Sequence, residues 1–225
     1  MSWCPYCPAP LSTLTERLAN SDVREVAMPT LVYVFWDNSN IFIEGRKLAA
    51  KKEGEQAYHL FRLQFDNLLE LAAANRPIGL AYAVGSIPPE LRTVWERLHG
   101  EGVNVDLRER GAETGREQGV DALLQVRMLR ALADASGSPG IAVLLTGDGA
   151  GYQDGAGFHA DLERMQKDGW AIEVISWDHS CNRALKAWAE KVGVYVKLDD
   201  YYESVTFLEG SRKSTPLDIS QRPRA

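Results

Sequence analysis

The sequence predicts an α/β fold, in which a mainly parallel sheet is covered by helices on both faces. Short apolar runs typical of strands alternate with longer stretches that repeat their apolar residues at helical spacing. Strands that alternate with helices pair in parallel through right-handed crossovers, and this places helices on both faces of the sheet. With 225 residues and 45% hydrophobic composition, the chain is long enough to bury one full core.

Runs rich in β-branched, aromatic and other apolar residues predict the strands. Each run has strand length and ends within a few residues at Asp, Asn, Gly or Pro. The predicted strands are Leu31–Trp36, Ile78–Val84, Val103–Leu107, Ile141–Leu145, Ala171–Trp177 and Val194–Leu198.

Stretches with apolar residues three and four positions apart predict the helices. A proline at position 89 is suited to the first turn of a helix, where the backbone amide has no partner to lose. The predicted helices are Ile41–Lys52, Leu60–Ala74, Pro89–His99, Val120–Ala133, Phe158–Lys167 and Asn182–Lys191.

The chain divides into three predicted parts. Residues 1–29 are an N-terminal extension, with a proline-rich start and a short helical pattern before the first strand. Residues 30–210 form the domain. Residues 211–225 carry four basic side chains and two prolines, and we expect this tail to be disordered.

Composition excludes several classes of protein. A net charge of −6 and a pI near 5.3 exclude a protein that coats nucleic acid without specificity. No apolar run approaches the roughly 20 residues of a membrane span, and no secretory signal pattern opens the chain, so we expect a cytoplasmic protein. Local basic groups near the acidic residues are either phosphate contacts or solvated helix faces: Arg46, Lys47, Arg116, Arg127 and Arg130.

Three cysteines do not make a disulfide framework. Cys4 and Cys7 form a lone C-x-x-C, which is half of a zinc site that His179 and Cys181 would have to complete. An inert thiol pair is the favoured interpretation over zinc or redox chemistry.

Three aspartates stand where open parallel sheets place their ligands. Asp37 and Asp148 each follow a predicted strand at its carboxyl end, and Asp121 opens a predicted helix. Gathered carboxylates repel one another and resist burial, so a hard cation such as Mg²⁺ or Mn²⁺ best explains them. Glu117, four residues before Asp121, is a tentative further ligand, with helix-dipole stabilisation as the alternative.

Polar residues next to these acids are candidates for substrate binding. Asn38, Ser39 and Asn40 follow Asp37 and exceed what one helix cap requires. Thr146 and Gly147 precede Asp148. Asp178 and Asn182 follow the fifth strand at the same sheet edge and are further candidates.

Glycines at 147, 149, 151, 155 and 157 surround Asp148 without the lysine of a phosphate loop. They predict close approach of the backbone to a metal-bound polymer, or a mobile flap carrying Asp154, or a plain connector. His159 and His179 each stand alone, and both are interpreted as structural.

From about Leu31 to Leu208, the chain resembles the NYN domain family of PIN-like nucleases. The matching pieces, in order, are Asp37-Asn38-Ser39-Asn40, Gly119-Val120-Asp121, Thr146-Gly147-Asp148 and the strand from Gly169 to Val174. The resemblance implies a Rossmann-like three-layer α/β/α sandwich whose acids bind divalent metal for cleavage of RNA phosphodiester bonds. It implies that Asp37, Asp121 and Asp148 are the catalytic metal-site acids and that Asn40 is a polar site residue.

The chain departs from the family pattern at three positions. Ala150 and Arg127 stand where the family commonly has acids, and Gln118 stands where a lysine is frequent. Glu117, Asp154 or Asp178 would have to compensate, whereas Arg127 could neutralise a phosphate.

These observations predict a metal-dependent endoribonuclease with RNA as its substrate. The alternatives are a catalytically weak RNA-binding or partner-binding module with an incomplete metal site, and a nucleotide phosphohydrolase. Besides RNA, the predicted partners are a second copy of the chain or another protein.

Overall fold

The computed structural model describes residues 30–86, 103–108, 120–135, 137–150 and 152–225, with the single positions 96 and 99. At residues 86, 105–108, 120 and 121 the description covers the backbone alone. The extension 1–29 with Cys4 and Cys7, residue Glu117 and most of the helix predicted at Pro89–His99 lie outside these residues.

The centre of the fold is a six-stranded, fully parallel sheet. The described strands are β1 Val32–Asp37, β2 Phe61–Leu63, β3 Ile78–Ser86, β4 Asn104–Arg108, β5 Ile141–Leu145, β6 Ala171–Ser176, β7 Val194–Lys197 and β8 Thr206–Leu208. The strand order is β4-β3-β1-β5-β6-β7. The chain therefore runs outward from β1 to one edge and returns to build the other half from β5, so β1 and β5 meet at the topological switch point.

Helices cover both faces of this sheet. The described helices are α1 Asn38–Glu53, α2 Ala57–Leu60, α3 Phe65–Ala73, α4 Val120–Asp134, α5 Gly157–Lys167, α6 Arg183–Val192 and α7 Tyr202–Val205. Alternate residues of β1 face opposite sides: Val34 and Trp36 pack in the core with α1 and α3, and Phe35 packs in the core with α4, α5 and α6. The predicted three-layer α/β/α sandwich is confirmed. None of the helices in these ranges is both long and apolar enough to cross a membrane.

The helix predicted as one piece over Leu60–Ala74 is wrong. Phe61–Leu63 is a strand that pairs antiparallel with Thr206–Leu208, and α3 begins only at Phe65. Phe61 and Leu63 are buried while Arg62 between them is not, which is strand periodicity. Hydrogen bonds from a distant partner strand override the local helical pattern here.

The tail also differs from the expected disorder. Residues 211–225 lie along the described domain, and Arg222 is buried. Its guanidinium donates to Glu173 Oε2 at 2.7 Å, and the backbone amide of Ala225 donates to Glu173 Oε1 at 2.8 Å. The disorder expected from the composition of the tail is wrong, because Arg222 of the tail forms an ion pair with the buried Glu173.

Glu173 is the centre of this anchor. Its side chain is fully buried in β6, and Arg76 binds both of its oxygens, at 2.6 and 2.8 Å. Burial alone raises the pKa of Glu173, but the hydrogen bonds from Arg76 and Arg222 outweigh burial and hold that pKa below its usual value. The carboxylate is thus ionised between two cations.

Glu173→Gln should lower the free energy of unfolding by roughly 3–5 kcal/mol, because it leaves buried guanidinium charge without its partner. Since the folded-state pKa is depressed, the contribution is present above the unfolded pKa and is lost as pH falls through the folded pKa. Urea unfolding of Glu173→Gln and of Glu209→Gln, which breaks an exposed pair with Arg62, measures the difference. Equal small losses, of the ~0–1 kcal/mol typical of surface pairs, would contradict the anchor.

Candidate functional site

Asp37 joins the end of β1 to the start of α1. Its side chain is the N-cap of the helix, and Oδ1 accepts a hydrogen bond from the backbone amide of Asn40 at 3.0 Å. Although Asp37 is only 4% exposed, the helix N-terminus favours a negative charge at this point. One residue therefore caps the helix and leaves a carboxylate at the carboxyl edge of the sheet.

Thr146 ties Asp37 to the neighbouring strand. This fully buried residue follows β5, and its hydroxyl donates to Asp37 Oδ2 at 2.9 Å. The hydroxyl oxygen of Thr146 also accepts a hydrogen bond from the backbone amide of Asp148 at 3.2 Å. One hydroxyl thus links the carboxylate of Asp37 to the backbone of Asp148.

A second hydrogen bond links the same two segments of the chain. The side-chain oxygen of Asn40 accepts from the backbone amide of Gly147 at 2.9 Å. Asn40 and Thr146 therefore hold together the ends of β1 and β5, where the strand order reverses. The sequence predicted both residues as substrate contacts; in the structure each makes an internal hydrogen bond.

Asp148 is half-buried directly beyond β5. Its Oδ1 accepts from the backbone amide of Ala150 at 2.9 Å, which folds the chain into a tight turn. Asp37 and Asp148 consequently stand at the carboxyl ends of adjacent parallel strands, as the sequence predicts.

Asp121 lies in the first turn of α4, a helix that packs against β3 and β1. Its side chain is outside the described part of the chain, as is all of Glu117. Among the side chains that are described, no group of three or more His, Cys, Asp or Glu could hold a metal ion. The convergence of Asp37, Asp121 and Asp148 on one ion stays a prediction.

Asn38 and Ser39 are buried beside Asp37 without serving as the helix cap. Gly85, near the end of β3, packs so closely on Asn38 that an added Cβ would lie 3.2 Å from the Asn38 Cβ. Within the described ranges, Asn38 Oδ1 has no hydrogen-bond partner. A buried acceptor without a donor costs about 1–3 kcal/mol, which marks this oxygen as a candidate ligand group.

The glycines around Asp148 are required by packing. A Cβ on Gly147 would lie 2.7 Å from Ser176 Oγ, and a Cβ on Gly149 would overlap the side chain of Asn182, with only 2.7 Å to the Asn182 Cβ. The backbone at these glycines therefore lies close to the end of β6 and to the segment that connects β6 to α6. That approach is internal to the protein.

Asn182 has a structural role that its sequence position did not reveal. Its backbone amide donates to the carbonyl oxygen of Gly147 at 2.8 Å. Its side-chain oxygen caps α6 by accepting from the amides of Ala184 and Leu185, at 2.9 and 3.2 Å. The turn after β5 and the start of α6 are thereby held in one register.

Asp178 is tied to cations of the protein itself. Its carboxylate forms an ion pair with Lys186, and Lys197 Nζ lies 4.0 Å from Oδ2. The hydrogen bond from Lys186 is the main reason that the pKa of Asp178 lies below its usual value. A carboxylate already neutralised in this way is a poor substitute for the family acids replaced by Ala150 and Arg127.

The predicted cations differ in how the protein engages them. Arg127 is half-buried on α4, with its guanidinium 4.5 Å from the centre of the Tyr82 ring on β3. Arg46 lies over the Tyr58 ring at 3.9 Å and donates to the Tyr58 carbonyl oxygen. Lys47 pairs with Glu44 at 2.7 Å. Arg46 and Lys47 are thus already paired within the protein.

Sequence reasoning missed Tyr152. This residue lies in the short 3-10 helix Tyr152–Asp154, and its ring stacks on His159 at 3.9 Å and 10° between planes. Its hydroxyl donates to Glu163 at 2.7 Å, so the loop is bound to α5 by two contacts. The available signal was a single aromatic residue among glycines just after Asp148.

A parallel sheet with acids at its switch point, between two helical layers, is the architecture of a PIN-like α/β/α domain. The sequence profile of the NYN domain matches residues 31–194, and the chain belongs to this family. Membership indicates a nuclease-like function related to RNA. No protein with a curated description matches the sequence.

A crystal structure of a protein of unknown function from Vibrio parahaemolyticus is similar in fold. The two chains share 17% sequence identity and a TM-score of 0.53, over 76% of this chain and 94% of that one. The likeness extends to the fold alone.

Thr146→Val should destabilise the protein by roughly 1–3 kcal/mol, because it keeps the shape of the side chain but removes a hydrogen bond to the buried carboxylate of Asp37. Thr146→Ser, which keeps the hydroxyl, is the matched control and should cost less. Urea unfolding gives both values. A valine variant as stable as the serine variant would show that the bridge contributes nothing.

Gly149→Ala should cost about 1–2 kcal/mol, because the new methyl group displaces the Asn182 cap from α6. The cost should fall in an Asn182→Gly background, where the overlapping side chain is gone and glycine is still a tolerable cap. A double-mutant cycle of thermal unfolding measures this coupling. Equal costs in both backgrounds would contradict it.

Proposed function

We propose that this NYN domain is a divalent-metal-dependent endoribonuclease that hydrolyses RNA phosphodiester bonds. One observation carries the proposal: the hydroxyl of Thr146 links the Asp37 carboxylate to the backbone of Asp148 at the switch point of the sheet. In open parallel sheets this crevice is where ligands bind. Asp121, at the start of α4, is proposed as the third acid.

The described donor atoms fit a hard cation. They are carboxylate oxygens of Asp37 and Asp148, together with the unpartnered amide oxygen of Asn38, the residue after Asp37, and oxygen ligands are those that Mg²⁺ and Mn²⁺ prefer. We propose that Asp37, Asp121 and Asp148 hold the ion, with Glu117 as a tentative further ligand. When bound, such an ion activates water and stabilises the leaving oxygen during displacement at phosphorus.

The chain's own groups are organised before any ligand arrives. The amide of Asn40 and the hydroxyl of Thr146 orient the two oxygens of Asp37, and the amide of Ala150 orients Asp148. Fixed carboxylates lose little conformational entropy on binding, which favours tight and geometrically defined ligation. Arg127, on the same helix as Asp121, is proposed to neutralise phosphate charge, and Ser39, Gly147 and Asn182 to line the path of the substrate.

A second candidate is an RNA-binding or partner-binding NYN module with an incomplete metal site. Ala150 and Arg127 replace acids of the family pattern, and the pairing of Asp178 with Lys186 removes one compensating carboxylate. A nucleotide phosphohydrolase is less supported, because the sequence has no phosphate loop around Asp148. We also propose that the protein is cytoplasmic. It is proposed to associate with a second copy of itself or with another protein.

The deciding experiment incubates the full chain with mixed RNA and with single-stranded DNA in Mn²⁺, Mg²⁺ or EDTA. Cleavage of RNA that requires metal supports the endoribonuclease. Binding without cleavage supports the module, and turnover of nucleotides alone supports the phosphohydrolase.

Asp148→Asn should abolish metal-dependent cleavage while the fold stays intact or becomes slightly more stable, because one charge of a repulsive cluster is removed. Asparagine can still accept the hydrogen bond from Ala150. Asp134→Asn, the same change at an exposed position at the far end of α4, is the control and should cleave normally. Single-turnover rates at saturating metal are the measurement, and an unchanged rate for Asp148→Asn would remove Asp148 from catalysis.

A further inference from the structure

A cleft of about 280 Å³ opens beside the turn that follows Asp148, one of the proposed catalytic acids. Its lining residues come from the turn after Asp148, the 3-10 helix and the start of α6: Gly149, Tyr152, Gln153, Asp154, Asn182 and Ala184. Gly149 follows Asp148 in the chain, so the wall of this cleft begins one residue after Asp148.

Tyr152 gives the cleft a fixed aromatic wall. One face of its ring lies on the imidazole of His159, and its hydroxyl is held by Glu163. The residue is only half-buried, and it lines the cleft. A ring packed on one face and open toward a cleft has the form of a stacking platform for a planar ligand.

His159 is an unusual support for such a platform. It is 2% exposed, and neither of its ring nitrogens has a hydrogen-bond partner among the described residues. Glu163 Oε1 is 3.9 Å from Nε2, and Trp188 of α6 packs against the imidazole at 4.9 Å between ring centres. Burial lowers the pKa of His159, so the ring is neutral at physiological pH.

Burying an imidazole without hydrogen bonds is costly, so the arrangement calls for an explanation. The three rings of Tyr152, His159 and Trp188 connect the loop after Asp148 to α5 and α6. Their mutual packing fixes the orientation of Tyr152, which a flexible loop of glycines could not do. The stack is therefore well suited to hold one aromatic face in place.

The charge of the cleft selects among ligands. Asp154 is exposed on its rim and disfavours a phosphate, whereas Gln153 and Asp154 can both hydrogen-bond the edge of a nucleobase. We propose that the cleft binds one unpaired nucleobase of single-stranded RNA, stacked on Tyr152 next to the phosphate that is cleaved. The location beside the cleaved phosphate rests on the proposed function. A base inside a duplex cannot enter, because it is already stacked and paired.

The test uses the full chain with Asp148→Asn, in EDTA, and an oligouridylate 12-mer with one central 2-aminopurine. That fluorophore is bright among unstacked uridines and is quenched when it stacks on an aromatic ring. We expect quenching on binding, and we expect an excess of RNA duplex to compete poorly. Tyr152→Leu should weaken binding on the order of ten- to a hundredfold and abolish the quenching.

Tyr152→Phe is the matched control, because it keeps the ring and loses only the hydrogen bond to Glu163; it should quench as the parent does. Tyr201→Leu removes a half-buried tyrosine elsewhere and should bind normally. Three results would overturn the proposal. The Asp148→Asn protein with Tyr152 intact would bind without quenching, the RNA duplex would compete as well as single-stranded RNA, or Tyr152→Leu would bind as tightly as the protein with Tyr152 intact. The quenching and the duplex competition are measured with Tyr152 intact, so neither depends on whether the leucine variant folds.

The outcome is separable from that of the proposed function. Quenching that requires Tyr152, without any RNA cleavage by the wild type, supports the base site and contradicts the nuclease. Metal-dependent cleavage with no role for Tyr152 supports the nuclease and contradicts the base site.

Discussion

The candidate site depends on one hydroxyl group. Thr146 donates to the buried carboxylate of Asp37 and accepts from the amide of Asp148, so it joins the two parallel strands at which the strand order reverses. A carboxylate at the end of β1 would be expensive to bury without this donor and the helix amide of Asn40. Through Asn40, Gly147 and Asn182, the same connection continues to the start of α6. Sheet, turn and helix are held in one arrangement by hydrogen bonds between residues that are far apart in the sequence.

Much of the fold could be predicted because its signals are local. The apolar runs gave the parallel strands, and the positions of Asp37 and Asp148 followed from where those runs end. The strand Phe61–Leu63 could not be predicted, because its partner Thr206–Leu208 is far away in the sequence and its residues also fit a helix. The tail was misjudged for a related reason: composition describes Arg222 as a solvated charge, and only the tertiary structure supplies Glu173.

Only part of the candidate site could be predicted from the sequence. Acids at strand ends are visible in the sequence, but the partners that decide what each acid can do are not. Asp178 has the same position relative to its strand as Asp148, yet Lys186 neutralises it. The glycines left close backbone approach, a mobile flap and a plain connector open, whereas Asn182 and the stack beneath Tyr152 show a packed loop. In each case a side chain from another element changed the meaning of a local pattern.

The anchor on Glu173 has a consequence for biosynthesis. A ribosome makes the chain from its N-terminus, so Arg76 and Glu173 are present before Arg222 exists. Until Arg222 emerges, the buried carboxylate of Glu173 lacks one of the two guanidinium groups that neutralise it. The nascent domain can form its strands early, but it reaches full stability only when this late segment docks. During that interval the partly closed core is the form that chaperones and proteases would encounter.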